Sequence, residues 1–251
     1  MSAKRGIFVA PFDELVEPAT VAALAARAEE QGWDGFFLWD HIIYRPPTEA
    51  VADPWIALAA IACATERLRI GPLVTPLARR RVQKVARETV TLDHLSRGRL
   101  TLGVGLGGDR NGEFAPFGDP AEPGERAQLL DQGLERLNEY WAGKFKPAPV
   151  QHPRIPVWVA GRWPNRRPLR RAANWEGFFP IDLGGPYDLA EFAAEVGDLR
   201  SGQSEPFDLI AEIPPGGDPE PWEAAGATWM LTSFDAQPKL DEVRGAIEAG
   251  P

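Results

Sequence analysis

Short runs of strand length alternate with helix-forming segments about eight times along this chain. The runs that predict strands are residues 6–10, 34–39, 68–75, 100–104, 155–161, 176–180, 207–213 and 228–234. Several of them are apolar throughout, which is typical of parallel strands that helices cover on both faces. A doubly wound open sheet usually places a glycine fingerprint after its first strand, whereas this first strand ends in Ala10-Pro11-Phe12. The pattern therefore predicts an α/β fold with a closed parallel barrel, the (β/α)8 or TIM barrel.

A proline-rich stretch, residues 143–153, is the one candidate domain boundary in the 251 residues. The alternation of strand and helix resumes directly after it, so we interpret the stretch as a loop of the barrel. Asp53 before Pro54 predicts a helix N-cap followed by proline in the first turn. We therefore expect a single domain over residues 1–251.

Composition and charge exclude several classes of partner. A net charge of −9 argues against nucleic acid or an anionic membrane as the main partner. No apolar run reaches the length of about 18 residues that a membrane span needs. The single cysteine, Cys63, forms no internal disulfide and suits a reducing cytoplasm, and its apolar surroundings predict a buried thiol. No HExxH or paired CxxC motif occurs, so we expect no metal site.

Asp40 and His41 follow the second predicted strand. The ends of parallel barrel strands are where active sites form, and a histidine there can act as acid, base or hydrogen-bond donor. The turn could bring the Asp40 carboxylate beneath the imidazole of His41, and we expect these two residues to be catalytic. In the alternative interpretation, Asp40 only caps the following loop and His41 is an ordinary loop residue.

Two glycine-containing loops follow later strands. Residues 103–108 are rich in glycine, which lets the backbone approach a ligand and offer N–H groups to anions. Gly161, Arg162 and Asn165 follow the fifth predicted strand and precede a helix, where free N–H groups and arginines favour an anion. We expect these three residues to hold a phosphate, with surface salt bridges by the arginines as the alternative.

Three consecutive arginines, Arg79, Arg80 and Arg81, stand at the start of the third predicted helix. Cations at this end oppose the helix macrodipole. A nearby anion would relieve the conflict, whether it is a carboxylate loop, a partner chain or a cofactor tail. The other interpretation is a solvated basic face.

Ordered motifs over nearly the whole chain resemble the luciferase-like family of flavin- or deazaflavin-dependent oxidoreductases. The central motifs are VTPLARRR, TLDHLSRGR, GVGLG and GEFAPFG, between residues 74 and 118. Further matches are WDH at 39–41, DPW at 53–55, IPVWVAG at 155–161 and RRAANWEGFFP at 170–180. Four central motifs in the right order are much more specific than any one of them.

The resemblance implies an oxidoreductase or monooxygenase that binds FMN or F420 at the C-terminal mouth of the barrel and acts on a small organic substrate. It implies a functional histidine at His41, a homodimer, and cofactor contacts from the segment Leu73, Val74 and Thr75 and from the loop Gly105, Leu106 and Gly107. It also implies a cis peptide bond between Leu73 and Val74, with a plain trans strand end as the alternative.

Two features depart from the family pattern. Leu106 stands where some FMN-dependent members carry a phosphate-binding arginine, so the sequence leaves FMN and F420 undecided. The late connections are short, so an insertion that usually covers the site is reduced, and the pocket is either open or closed by a partner subunit. Other functions remain open from the residues alone: a barrel isomerase or lyase on a phosphorylated substrate, or a non-catalytic barrel.

Overall fold

Nine parallel strands form one sheet in the computed structural model, which describes residues 2–251. The strands are β1 (Lys4–Val9), β2 (Gly35–Leu38), β3 (Arg69–Pro72), β4 (Thr75–Pro76), β5 (Leu102–Gly105), β6 (Val157–Arg162), β7 (Gly177–Ile181), β8 (Asp208–Ile213) and β9 (Trp229–Ser233). Their order is β3-β2-β1-β9-β8-β7-β6-β5-β4, so the sheet begins and ends on two pieces of the same predicted strand. A parallel bridge connects Ile70 of β3 to Leu100, which precedes β5, so the sheet curves into a nearly closed barrel. The prediction of a (β/α)8 barrel is confirmed.

The predicted strand 68–75 is divided into β3 and β4. The peptide bond between Leu73 and Val74, which lies between the two pieces, is cis. The resemblance implied a cis bond at this place, and the structure confirms it. The side chain of Leu73 belongs to the core inside the barrel, and Val74 packs against that core.

Eight helices follow the strands. They are α1 (Pro18–Glu30), α2 (Pro54–Ala64), α3 (Val82–Leu95), α4 (Pro123–Glu139), α5 (Arg167–Ala172), α6 (Pro186–Leu199), α7 (Glu220–Ala224) and α8 (Leu240–Ala249). Asp53 caps the N-terminus of α2, as predicted. Its carboxylate accepts hydrogen bonds from the backbone N–H groups of Trp55 and Ile56 at 2.9 and 3.0 Å. The proline-rich stretch 143–153 belongs to the connection between α4 and β6, which is irregular after a π-helical turn at Tyr140–Lys144. Within residues 2–251, no helix combines the length and apolarity needed to cross a membrane.

The core is divided into two layers by the alternation of side chains along each strand. One layer lies between the strands and the surrounding helices. The other fills the barrel, and its members are Phe8, Phe37, Leu73, Trp158, Ala160, Phe179, Ile210, Trp229 and Leu231. This inner layer fills the barrel below its C-terminal mouth.

Cys63 is exposed, so the prediction of a buried thiol is wrong. The buried positions of α2 include Ala57, Leu58, Ile61 and Ala62, which form a stripe at helical spacing. Cys63 lies beside this stripe, on the solvent side. The helix is apolar on all faces, so its sequence did not show which face would be covered.

Gly71 allows β3 to pass close to the backbone of Thr101, because a Cβ atom there would overlap the Thr101 carbonyl oxygen. We expect Gly71→Ala to lower the free energy of unfolding by about 1–3 kcal/mol, the usual cost of overpacking a core. Gly197→Ala, in α6, is the matched control, since its Cβ would meet nothing within 4 Å. That control should stabilise the helix by up to about 1 kcal/mol. Equal denaturant midpoints for the two variants would contradict this account of β3.

Candidate active site

A cavity of about 830 Å³ opens at the C-terminal mouth of the barrel. Its volume lies in the range of sites that bind cofactors and drug-sized molecules. Residues in or just after the strands β1 to β8 form its wall, including Trp39, Tyr44, Leu73, Gly105, Arg110, Ile181, Glu212 and Trp222.

Ten of the eleven predicted site residues line this one cavity. They are Asp40, His41, Leu73, Val74, Gly105, Leu106, Gly107, Gly161, Arg162 and Asn165. Thr75 is the exception: it is fully buried outside the cavity wall, and its hydroxyl donates to the Asp40 carboxylate at 2.7 Å. Thr75 therefore supports Asp40 and does not line this cavity.

His41 is paired with Glu113, which the sequence reasoning missed. The His41 Nδ1 lies 2.9 Å from a Glu113 carboxylate oxygen, and that carboxylate is only 2% exposed. A carboxylate at Nδ1 selects the tautomer that carries its hydrogen there, which leaves Nε2 as the acceptor for a ligand. The only sequence signal for this pair was the position of Glu113 inside the GEFAPFG motif.

Two further donors hold the Glu113 carboxylate in place. The backbone N–H of Ile42 and the guanidinium of Arg79 donate to its other oxygen at 3.0 and 2.9 Å. The carboxylate is thus oriented before any ligand arrives, and it can stabilise a positive imidazolium of His41.

Asp40 does not lie beneath the imidazole, which corrects the predicted arrangement. Neighbouring residues at a strand end point to opposite sides, and the Asp40 carboxylate points away from His41 into a fully buried site. It accepts hydrogen bonds from Trp55 Nε1, Thr75, Arg79 and Arg80 at 2.7–3.2 Å. Burial alone would raise the pKa of Asp40, but the positive charges of Arg80 and Arg79 outweigh it and hold the pKa below its usual value. Asp40 is therefore an ionised anchor.

The arginine run before α3 is neutralised by these carboxylates. Arg79 is 3% exposed and bridges Asp40 and Glu113, whereas Arg80 pairs with Asp40. The sequence left open whether these arginines meet a carboxylate, another anion or solvent. Two of them meet carboxylates, and of the three only Arg81 is exposed to solvent. Because both carboxylates share Arg79, the position of His41 is linked through Glu113 to Asp40.

The glycine loop after β5 brings its backbone close to the segment after β3. A Cβ atom at Gly105 would come within 2.7 Å of the Val74 side chain. Gly107 has a φ of +66°, a conformation that favours glycine. The two glycines therefore allow a narrow wall, formed by backbone and Val74, on one side of the cavity.

The loop after β6 carries charge that is already partly paired. Arg162 forms an ion pair with Asp182, and the Asn165 side chain accepts from the backbone N–H of Arg167 at 3.0 Å. Arg166 turns away from the cavity toward Glu191 on α6. An anion at this loop would therefore share Arg162 with Asp182. It would be bound more weakly than by two free arginines.

The cavity also offers polar groups that the sequence reasoning missed. Arg45 and Arg110 line it and enter none of the ion pairs found within residues 2–251. The indole N–H of Trp39 is buried and has no hydrogen-bond partner in the described part of the chain. Buried donors are normally paired, so this one marks a position where a ligand oxygen would fit.

Comparisons with known proteins agree with this architecture. The sequence pattern of the luciferase-like monooxygenases matches residues 6–225. An uncharacterized protein of Mycobacterium tuberculosis is 31% identical over 92% of this chain and 84% of its own length. An F420-dependent glucose-6-phosphate dehydrogenase of Beutenbergia cavernae is 36% identical, over 52% of this chain and 39% of its own length.

Solved structures share the fold at low sequence identity. An F420-dependent secondary alcohol dehydrogenase, solved with an F420–acetone adduct, superposes with a TM-score of 0.81 at 15% identity, covering 100% of this chain and 98% of that one. The oxygenating constituent of 3,6-diketocamphane monooxygenase from Pseudomonas putida, solved with FMN, has a TM-score of 0.71 at 16% identity, over 85% of this chain and 67% of that one. The order of the motifs and the parallel barrel agree with the family match, which covers residues 6–225. This chain belongs to the luciferase-like monooxygenase family.

Proposed function

We propose that this protein is an F420-dependent oxidoreductase that interconverts an alcohol and its carbonyl compound. The observation that carries the proposal is the His41–Glu113 pair, which places a preorganised proton acceptor on the wall of a cofactor-sized cavity. Alcohol oxidation by hydride transfer needs such a group, because the hydroxyl proton must leave when the hydride leaves.

In this proposal the hydroxyl proton follows a path through His41. When bound, F420 supplies the hydride acceptor or donor. As the C–H bond of the alcohol breaks with its electron pair, the O–H bond breaks and its proton passes to Nε2 of His41. The Glu113 carboxylate then stabilises the imidazolium, and Arg79 and the Ile42 N–H keep that carboxylate in position. In the reverse direction, His41 returns the proton to the carbonyl oxygen.

The residues present fit a cofactor of this type. Val74 and the backbone at Gly105 and Gly107 form a narrow wall on one side of the cavity, where the glycines carry no side chain. The unpaired indole N–H of Trp39 supplies a donor within the cavity, and Arg45, Arg110 and Arg162 supply positive charge at its wall. FMN and F420 both carry a phosphate, so these groups suit either one.

Two observations favour F420 over FMN. The relatives include an F420-dependent dehydrogenase at 36% identity, and a solved F420-dependent alcohol dehydrogenase matches the full chain. In addition, Leu106 provides no cation in the glycine loop. The chemistry that this supports is hydride transfer without oxygen activation.

Direct titration tests the proposal. Purified protein is titrated with F420, oxidised FMN and reduced FMN, and binding is followed by fluorescence. We expect F420 to bind at least tenfold more tightly than either form of FMN. Tight binding of reduced FMN alone would replace the proposal by an FMN monooxygenase. Binding of phosphorylated metabolites with no redox cofactor would support an isomerase or lyase, and binding of nothing would support a non-catalytic barrel.

A further inference from the structure

Glu212, near the end of β8, carries a carboxyl group in the wall of the cavity. Alternate residues of β8 belong to the barrel interior, where Asp208 accepts from Trp158 Nε1 at 3.1 Å and Ile210 lies in the inner core. Glu212 is the next residue on this face, and it lines the cavity. Its carboxyl group therefore forms part of the cavity wall, above the packed interior of the barrel.

Glu212 differs from the other carboxylates around the cavity. Asp40, Glu113 and Asp182 each form an ion pair with an arginine. Glu212 takes part in none of the ion pairs between described residues, although it is only partly exposed at the cavity wall. A carboxyl group enclosed without a cation favours its neutral, protonated form.

The charged neighbours agree with this state. The pKa of Glu212 is raised to about 7, chiefly by burial and further by the negative charge of Asp182 after β7, while a hydrogen bond with the Ser233 side chain on β9 acts in the opposite direction. Arg162 at the end of β6 does not neutralise Glu212, because it is paired with Asp182. Near neutral pH a substantial fraction of Glu212 is therefore a carboxylic acid, which can donate a hydrogen bond as well as accept one.

The barrel places Glu212 apart from His41. The strand order β8-β9-β1-β2 puts two strands between those that carry the two residues, so they approach the cavity from different sides. A molecule held between them would meet a proton acceptor at one end and a hydrogen-bond donor at the other.

We propose that Glu212 is a substrate-anchoring residue, which hydrogen-bonds a second oxygen of an uncharged substrate whose first oxygen faces His41. The substrate class is thus a neutral molecule with two oxygen functions, such as a hydroxyketone, a diol or a diketone. Carboxylate substrates are disfavoured at this position, because their negative charge would lie near that of Asp182 and would favour repulsion. This inference rests on the proposed function for the role of the first oxygen, but the anchoring contact can be measured without turnover.

Cyclohexanone and cyclohexane-1,4-dione are suitable probes, because the second carbonyl of the dione only accepts hydrogen bonds. Their affinities are measured by ligand-observed NMR on the wild type, Glu212→Gln and Glu212→Leu, each alone and with F420. At pH 6 we expect the wild type to prefer the dione by about fivefold, the worth of one hydrogen bond. Glu212→Gln should keep this preference, since its amide donates, and Glu212→Leu should lose it.

The pH profile separates anchoring from a structural role. The wild-type preference for the dione should disappear as the pH rises through about 7, whereas that of Glu212→Gln should stay constant from pH 6 to roughly pH 8.5. An equal preference in the wild type and Glu212→Leu, or no measurable dione binding to the wild type, would overturn the inference. Failure of F420 binding overturns the proposed function instead, and it leaves the probe result on the protein alone intact.

Unfolding measurements check the state of Glu212 independently of any ligand. Its folded pKa of about 7 exceeds the ordinary value of 4.5, so its contribution to stability is lost as the pH rises from about 4.5 through 7. We therefore expect Glu212→Gln to gain stability relative to the wild type between pH 5 and pH 8. A stability difference that does not change with pH would contradict the neutral acid.

Discussion

Replacing His41 by glutamine is expected to lower the rate of hydride transfer by about 10²–10⁴-fold, the usual worth of a positioned general acid or base. Glutamine has no titratable group, so no acceptor takes the hydroxyl proton when the hydride leaves. The affinity for F420 should change by less than about twofold, because the rest of the cavity wall is kept. Stopped-flow reduction of bound F420 by an alcohol that the wild type oxidises measures the rate, and a fluorescence titration measures the affinity.

His94→Gln is the matched control for this variant. The His94 Nε2 lies 2.7 Å from the carbonyl oxygen of Ala148, outside the cavity wall. The control should keep the wild-type rate, which shows that loss of a histidine is not harmful as such. A His41→Gln enzyme with more than half of the wild-type rate would remove His41 from the proton path.

Replacing Asp40 by alanine is expected to lower the free energy of unfolding by about 3–5 kcal/mol. The substitution leaves Arg79 and Arg80 without their shared carboxylate, and the Arg79 side chain is only 3% exposed. Glu113 still pairs with Arg79, so one positive charge of the two arginines is left uncompensated, and such a charge is much less stable in a buried site than in water. Urea unfolding, with the slope compared between variants, measures the loss.

Asp182→Ala provides the control for a carboxylate whose ion pair is exposed. The side chains of Asp182 and Arg162 are 57% and 59% exposed, so their pair contributes about 0–1 kcal/mol. A loss of the same size in both variants would show that the Asp40 site does not owe its stability to buried charge.

The effect of Asp40 should also depend on pH in a definite direction. Its pKa is held below the ordinary value of 3.8, so its contribution is present above that value and is lost as the pH falls further. The difference in unfolding free energy between wild type and Asp40→Ala should therefore shrink in acid. This sign is opposite to that expected for Glu212, although both are carboxyl groups of the same barrel mouth.

Asp40 and His41 are neighbours in sequence, but they belong to different parts of the site. Asp40 orients Arg79, Arg79 orients Glu113, and Glu113 orients the imidazole of His41. A loss of activity in Asp40→Ala would therefore act through the position of His41. We describe Asp40 as a positioning residue, which revises the catalytic role expected from its place beside the histidine.

Local patterns were sufficient to predict the barrel and most of its elements. Strand-length apolar runs, capping residues such as Asp53 and the number of units depend on neighbouring residues, so they are visible along the chain. The ends of parallel strands meet at one edge, which is why residues after β2, β3, β5 and β6 were correctly expected to share one cavity. Cys63 was misassigned because α2 is apolar on every face, and periodicity then carries no direction.

The chemistry of the cavity depended on contacts between distant parts of the chain. Glu113 lies 72 residues after His41 in the sequence, yet the two side chains are hydrogen-bonded. No local pattern in the sequence predicts that contact. The sequence was enough to predict that His41 stands at the mouth of a parallel barrel with a flavin-type cavity. Only the folded structure showed the surroundings of the three carboxyl groups. Glu113 is paired with His41, Asp40 is buried with two arginines, and Glu212 has no cation beside it among the described residues. The reason is physical: the energy of a charge is set by the solvent it loses and the charges it meets, and folding decides both.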